Sequence, residues 1–353
     1  MTGRLQADAT VLVADAGEAG TVYGRGYFGT LGPGGLVLDR FEGAYLAEMG
    51  RLDVVDARDR PVVWSEIFRR AVRLAPTFAV LYNVYRDLRQ RGYVVRAGAA
   101  PADFAVLPRG GVLHKTPARF WVAAFSERSK FDLAALFGLA ERSQLAKKNL
   151  LLAVVDEESD LTFYRVRRPT PAGALEPTRL AAPVEGWLAH DRVSIFDAAA
   201  HEALGRGLAF GSRIGDRLEV SLVEAGYLAE TGQLHLRDGR SRRSIPMARF
   251  ERIATRHDPR YRVRLTAYRF LRDRRLVVKT GFKYGAHFRA YPRNPEHAHA
   301  RYLVQAVPDD HATAWPEIAG SVRVAQGVRK EFLLAAVARD GAVRFLALER
   351  IRP

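Results

Sequence analysis

The chain is written twice, and this constrains its fold more than any other feature. Glu42–Val54 reads EGAYLAEMGRLDV and Glu224–Leu236 reads EAGYLAETGQLHL, with seven of 13 positions identical at an offset of 182. Tyr85 and the run Arg91–Arg96 (RGYVVR) meet Tyr268 and Arg274–Lys279 (RRLVVK) at an offset of 183. Ala146–Val155 (AKKNLLLAVV) meets Val328–Val337 (VRKEFLLAAV) at 182 again, so Lys148 stands where Lys330 stands. The ends agree as well, FYRVRRP (163–169) against LALERIRP (346–353). Matched blocks in one order mean a duplicated unit, and a repeat that is overlooked mis-assigns the whole fold.

Between the copies, 169–186 (PTPAGALEPTRLAAPVEG) is rich in Pro, Gly and Ala and poor in large apolar residues, which marks a semi-extended linker. Each copy divides again. Its first part, 1–75 or 187–257, mixes short strands with amphipathic helices; its second, 76–168 or 258–353, alternates strand and helix. In the second copy, Val263–Arg274 has helical spacing, LVVKTG and ARYLVQAV read as strands, Ser321–Lys330 as a helix, and EFLLAAVA and AVRFLALERI as closing strands. The expected class is α/β (α+β mixed): two tandem repeats, each a small α/β subdomain followed by a mixed sheet flanked by helices.

Composition narrows the function. Lys and Arg number 55 against 39 Asp and Glu, a formal charge of +16 that favours phosphate-bearing partners, nucleic acid before membrane. Cysteine is absent, which excludes disulfides, thiolate nucleophiles and Cys-ligated metal. No apolar run approaches the ~18 residues of a membrane span, and the N-terminus lacks a hydrophobic signal core. The expectation is a soluble cytosolic protein with no membrane partner. No GxxxxGK[ST] loop exists to cradle a nucleotide. A metal-dependent nuclease would need carboxylates converging on one point, and none are tightly spaced near the segment described next.

That segment is Lys279–Pro292, KTGFKYGAHFRAYP. A strand ends at Thr280, and Gly281 and Gly285 let the backbone turn around Lys283 and Tyr284. A tyrosine between two glycines is ordinarily a packed or capping aromatic. Histidines follow in EHAHARYLVQAV, and Lys330 closes SVRVAQGVRK beside Arg323 and Arg329. Taken singly, these are ordinary turn and surface residues. Together they supply what metal-free RNA cleavage requires: a group to take the 2′-hydroxyl proton, one to protonate the 5′-oxygen, and a cation for the charge of the phosphorane.

The ordered run GFKYG–HFR–Y, HARYLV, SVRVAQGVRK and RIRP resembles the C-terminal half of archaeal tRNA-intron splicing endonucleases, and the resemblance extends over both repeats. It implies Tyr284 as general base, His299 as general acid and Lys330 as charge stabiliser. His299 is preferred to His297 because the family's histidine directly precedes small-x-Tyr-Leu-Val, here Ala300–Val304. His287 departs from the family, which often has an acid there. The resemblance further implies RNA contacts by Lys283, by Arg323 and by Arg350 or Arg352, two guanidiniums gripping a bulged base. The substrate would be a precursor tRNA with a bulge-helix-bulge, cut to 2′,3′-cyclic phosphate and 5′-hydroxyl ends, with no metal and no small-molecule cofactor. The basic stretch 237–275 is expected to hold RNA as well.

The first copy has Pro117 in place of His299, and a shorter turn, GAAPADF (98–104), without tyrosine; only Lys148 survives. It should be a pseudo-site, as in the family's homodimeric form. Its loop Asp156–Asp160 (DEESD) places Asp156, Glu157, Glu158 and Asp160 together, and in the family this loop inserts into a basic cleft of the partner chain. A homodimer with two active sites is expected. The alternative is a non-catalytic RNA-binding or structural subunit, although such subunits lose the tyrosine and histidine that the second copy keeps.

Overall fold

The computed structural model describes residues 1–176, 180–296 and 298–353. They form two compact units: 1–129 with 138–166 and 351–353, and 130–137 with 167–350. The class is mixed α/β, and the duplication is visible element by element.

The first unit begins with a five-stranded sheet in the order Thr30–Gly32, Gly35–Leu38, Val11–Val13, Thr2–Leu5, Asp53–Val55. Helices Arg40–Glu48, Trp64–Leu74 and Phe78–Gln90 follow. A second sheet takes the order Leu161–Arg167, Asn149–Val155, Phe120–Ser126, Phe104–Val106, Val95–Ala97. Its core holds Phe78, Tyr82, Tyr85 and Phe104, all essentially inaccessible.

In the second unit, the first sheet runs Ser212–Ile214, Arg217–Ser221, Arg192–Ile195, Val184–Ala189, Leu234–Asp238. Helices Leu222–Glu230, Met247–His257 and Tyr261–Asp273 match those of the first unit. The second sheet runs Val277–Thr280, Phe288–Tyr291, Tyr302–Pro308, Glu331–Val337, Val343–Ile351. Helix Trp315–Gly327 connects two parallel strands, Tyr302–Pro308 and Glu331–Val337. Tyr268, Phe288, Val304 and Leu333 lie in one core.

The same local rule starts the central helix in both copies. Asp39 accepts from the Glu42 amide at 2.8 Å while Glu42 accepts from the Asp39 amide at 3.0 Å. Ser221 and Glu224 repeat the exchange at 3.2 and 2.9 Å. Each reciprocal pair satisfies two amides that the first helical turn leaves without partners.

Two expectations are corrected here. The linker is tied down rather than merely extended: Gly173 N donates to Arg274 O at 2.9 Å, Ala174 N to Pro292 O at 2.7 Å, and Leu175 N to Arg275 O at 3.0 Å. Strand Val184–Ala189 also starts inside the stretch read as linker. The helix expected at Ser321–Lys330 starts at Trp315, with Pro316 in its first turn, where a missing N–H costs nothing, and it ends at Gly327. Among the described residues, no helix is long and apolar enough to cross a membrane.

Candidate functional site

Three strands of the second unit bring the chemistry-bearing residues to one sheet end. Phe288–Tyr291 runs antiparallel to Tyr302–Pro308 with Ala290 opposite Tyr302, and Tyr302–Pro308 runs parallel to Glu331–Val337 with Tyr302 opposite Glu331. The regular ladder stops there: Arg301 N donates to Ala290 O at 3.0 Å, so Arg301 and Tyr302 both face Ala290 in a bulge, while Glu331 N donates to Arg301 O at 2.9 Å. Tyr291, Arg301 and Lys330 are therefore gathered at one sheet end, on strands of which the outer two are two spacings or about 10 Å apart. His299 lies two residues before Arg301, just ahead of the middle strand; it is exposed and has no hydrogen-bond partner among the described residues. His297 lies outside the described residues.

Lys330 is just beyond its helix. Arg329 takes the left-handed conformation (φ 55°), and Lys330 N donates to Ala325 O at 2.8 Å, closing the helix end and turning the chain into the strand. The Lys330 ammonium donates to Val328 O at 3.2 Å and stands 5.7 Å from the centre of the Tyr284 ring. Tyr284 ends a single 3₁₀ turn, Phe282–Tyr284, whose exit residue Gly285 has φ 65°. Gly281 is required for a different reason: its φ is an ordinary −97°, but a Cβ there would sit 2.6 Å from Ala286 O. Lys283 is exposed on the turn, and Phe282 beside it is 86% exposed.

The sequence reading passed over Tyr291. The stretch between Tyr284 and His299 is not one long loop, because it contains strand Phe288–Tyr291. Tyr291 ends that strand, packs with Val277 and Ala300, and is buried. Arg289 lies 5.9 Å from the centres of both tyrosine rings, so two phenols flank one guanidinium. The alternating pattern HFRAY eight residues before His299 was the available signal.

Arg323 and Arg350 are exposed, one on the helix and one on the last strand. Gln326, one turn after Arg323, donates from Nε2 to Arg350 O at 2.7 Å and ties that strand to the helix. Arg352 belongs to 351–353, which groups with the first unit. The basic stretch is partly neutralised: Arg237, Arg249, Arg262, Arg264, Arg269 and Arg275 form ion pairs. Arg240, Arg242, Arg243, Arg256 and Arg260 are exposed and have no acidic partner among the described residues.

The first unit carries the same ladder with different side chains. Val106 opposite Phe120 corresponds to Ala290 opposite Tyr302, and Asn149 opposite Phe120 corresponds to Glu331 opposite Tyr302. Leu107, Pro117 and Lys148 are thus the counterparts of Tyr291, His299 and Lys330. The turns also correspond, since Gly98 N donates to Asp103 O and Gly281 N to His287 O, both at 3.0 Å.

This correspondence explains His287. Asp103 accepts from Ala124 N at 2.8 Å, and His287 Nδ1 accepts from Ala306 N at 3.1 Å, the equivalent amide. Burial, helped by the Arg264 charge, pushes His287 down to about 4, so the ring is neutral near pH 7 and its proton is on Nε2. That nitrogen lies 3.4 Å from Gln305 Nε2, while Gln305 Oε1 is buried and unpartnered. Turning the Gln305 amide over aims its oxygen at the His287 proton and satisfies both. His287 is a structural acceptor filling the place of an acid.

His287 also borders a cleft of about 400 Å³ lined by Arg192, Glu224, Arg264, Tyr268 and Lys279. Lys279 donates to Ala209 O and Gly211 O, and burial lowers its pKa. Arg264 pairs with Asp258 at 3.0 Å, yet its Nε is buried without a partner. In the acidic loop, Asp156 accepts from the amides of Glu158 and Asp160 at 3.0 and 2.8 Å, and Glu157 pairs with Arg128 at 2.5 Å. Glu158 and Asp160 are exposed, with no side-chain partner among the described residues.

Comparison with known proteins adds to this geometry. The model of the tRNA intron endonuclease catalytic C-terminal domain matches residues 78–163 and again 261–345. The N-terminal domain of the same family matches 1–67 and 184–248. A tRNA-splicing endonuclease of Methanosarcina acetivorans is 35% identical over 354 residues, covering 99% of both chains. One from Methanococcoides burtonii is 35% identical over 335 residues, 94% of both, and one from Halobacterium salinarum is 33% identical over 370 residues, with full coverage of both.

Proposed function

Given that the chain belongs to the tRNA-splicing endonuclease family, we propose that it cuts precursor tRNA at exon–intron junctions folded as a bulge-helix-bulge, without a metal in the chemistry. The observation that carries this reading is the sheet end shared by Tyr291, Arg301 and Lys330, with His299 two residues before Arg301 and Tyr284 against Lys330.

The roles follow from the atoms. His299, exposed at the sheet end, donates a proton to the departing 5′-oxygen. Lys330, anchored at the helix–strand junction, faces the charge that builds on the phosphorane. A phenol takes the 2′-hydroxyl proton. The resemblance implies Tyr284 for this, supported by its approach to Lys330; the ladder adds Tyr291, held buried beside Ala300. The 2′-oxygen then bonds to phosphorus as the bond to the 5′-oxygen breaks, leaving a 2′,3′-cyclic phosphate and a 5′-hydroxyl. Arg323 and Arg350, on a helix and a strand that Gln326 ties together, fit the grip on a bulged base, since guanidinium planes stack on unpaired bases. Lys283 and Arg352 are assigned to RNA contacts on the resemblance.

The working form in this reading is a homodimer. Glu158 and Asp160 of one chain enter the cleft of the other, whose lining includes Arg192, Arg264 and Lys279. Mass measurement of wild type and the double variant Glu158→Lys, Asp160→Lys tests this, with a shift to monomer expected. The cleavage itself is tested with a short bulge-helix-bulge RNA in EDTA and analysis of the new ends. Cyclic phosphate with EDTA present is expected; cutting abolished by EDTA overturns the metal-free mechanism. Binding without cutting would favour the structural-subunit alternative.

A further inference from the structure

Glu331, the residue after Lys330, occupies a place where a carboxylate works against RNA binding by charge alone. Its two oxygens are both engaged: Oε1 accepts from Arg301 Nε at 2.9 Å and Oε2 from an Arg167 terminal nitrogen at 3.0 Å. Glu349 also lies 4.0 Å from Arg167. All of these side chains are partly exposed, and exposed ion pairs contribute little to folding. Neither guanidinium uses all five of its N–H donors on Glu331, so each keeps donors for a second oxyanion. Arg301 stands beside Lys330 at the sheet end and faces Ala290 on its other side. Arg167 lines a cavity of about 400 Å³ together with Gln326, Arg329 and Lys330.

The first copy lacks the arrangement. Asn149 stands where Glu331 stands, and Arg119, the counterpart of Arg301, lies over the Phe120 ring at 5.2 Å as Arg301 lies over Tyr302 at 5.1 Å, but has no carboxylate partner among the described residues. The acid occurs in the copy that keeps histidine and tyrosine, and is missing where they are missing.

We propose that Glu331 is a positioning residue that holds Arg301 and Arg167 as a paired clamp for the RNA phosphate next to the one being cut. The inference rests on the RNA-cleaving reading of the same site. One carboxylate fixes the separation of two flexible cations; the clamp then accepts a phosphate oxygen on the donors that Glu331 leaves free, and registers the neighbouring bond against His299 and Lys330.

The test is single-turnover cleavage of a bulge-helix-bulge RNA by the full chain over a range of salt, with thermal melts of each variant. Arg167→Ala and Arg301→Ala should each make the log–log salt dependence shallower by about one unit or slightly less. Glu331→Gln raises the net charge by one, so a purely electrostatic role predicts equal or faster cleavage. The clamp predicts cleavage slower by about tenfold with a shallower salt slope, partly rescued by Glu331→Asp. Wild-type rates and slope in Glu331→Gln would overturn the proposal. If the wild-type protein does not cut, the reading beneath it fails, and binding of the same RNA still decides the clamp. Loss of slope in the arginine variants then supports it and an unchanged slope overturns it.

Discussion

The two copies share a backbone and differ in what the ends of their strands carry. At the matching sheet ends, Tyr291, His299 and Lys330 correspond to Leu107, Pro117 and Lys148. The hydrogen-bonded ladders are the same, so the scaffold alone does not make a site. Lys148 keeps the register of Lys330 while Leu107 and Pro117 stand where Tyr291 and His299 do, so in the proposed reading it has no reaction to assist. The turn teaches the converse, since Asp103 and His287 differ in chemistry yet do one structural task, each accepting the equivalent strand amide. Conserved place and conserved role are separable within a single chain.

Substitutions in the two copies break or sharpen this contrast. The double variant Tyr284→Phe, Tyr291→Phe should lower single-turnover cleavage by about 10²–10⁴-fold. The single variants divide that loss, and the phenol that takes the proton carries nearly all of it. Lys330→Ala should cost about 10²–10³-fold, whereas Lys148→Ala leaves the rate unchanged; equal losses would mean that the first copy also contributes to the chemistry.

Smaller effects concern the scaffold. His287→Leu leaves the Ala306 amide without its acceptor and should cost about 1–3 kcal/mol in denaturant unfolding. His287→Asp restores the first copy's acceptor and should cost less; a larger loss would show that Asp103 and His287 are not equivalent. A pH-dependent effect is expected at the helix caps. Burial, then the neighbouring Glu42 charge, pushes Asp39 up to about 7, where the second copy has Ser221. The folded state therefore holds this proton more tightly than the unfolded chain. Its contribution to stability is complete below the ordinary carboxylate range and is lost as pH rises from about 4 to 7. Asp39→Ser should flatten that part of the stability profile, and a slope unchanged by the substitution would remove Asp39 as its source.

Much of this was legible in the sequence. The duplication, the strand at LVVKTG and the pairing of Lys148 with Lys330 follow from repeat spacing and hydrophobic period. Tyr291 was not, because a tyrosine at the end of an alternating strand looks like packing until the neighbouring strands place it at the same sheet end as Lys330. The helix start at Trp315 was hidden because the apolar spacing from Ser321 onward dominates the pattern, while Pro316 reads as a breaker unless it is placed in the first turn. The docking of 173–175 against Arg274, Arg275 and Pro292 depends on backbone groups, which composition does not reveal. The role of His287 required its partner, Ala306 N, to be known.

The most direct test of the central claim, one working site per chain in the second copy, sets His299→Ala beside Pro117→Ala in single-turnover cleavage of a bulge-helix-bulge RNA in EDTA. The account predicts a loss of about 10²–10⁴-fold for His299→Ala and a wild-type rate for Pro117→Ala. Cleavage by His299→Ala within a few-fold of wild type, with both variants folded, would contradict it.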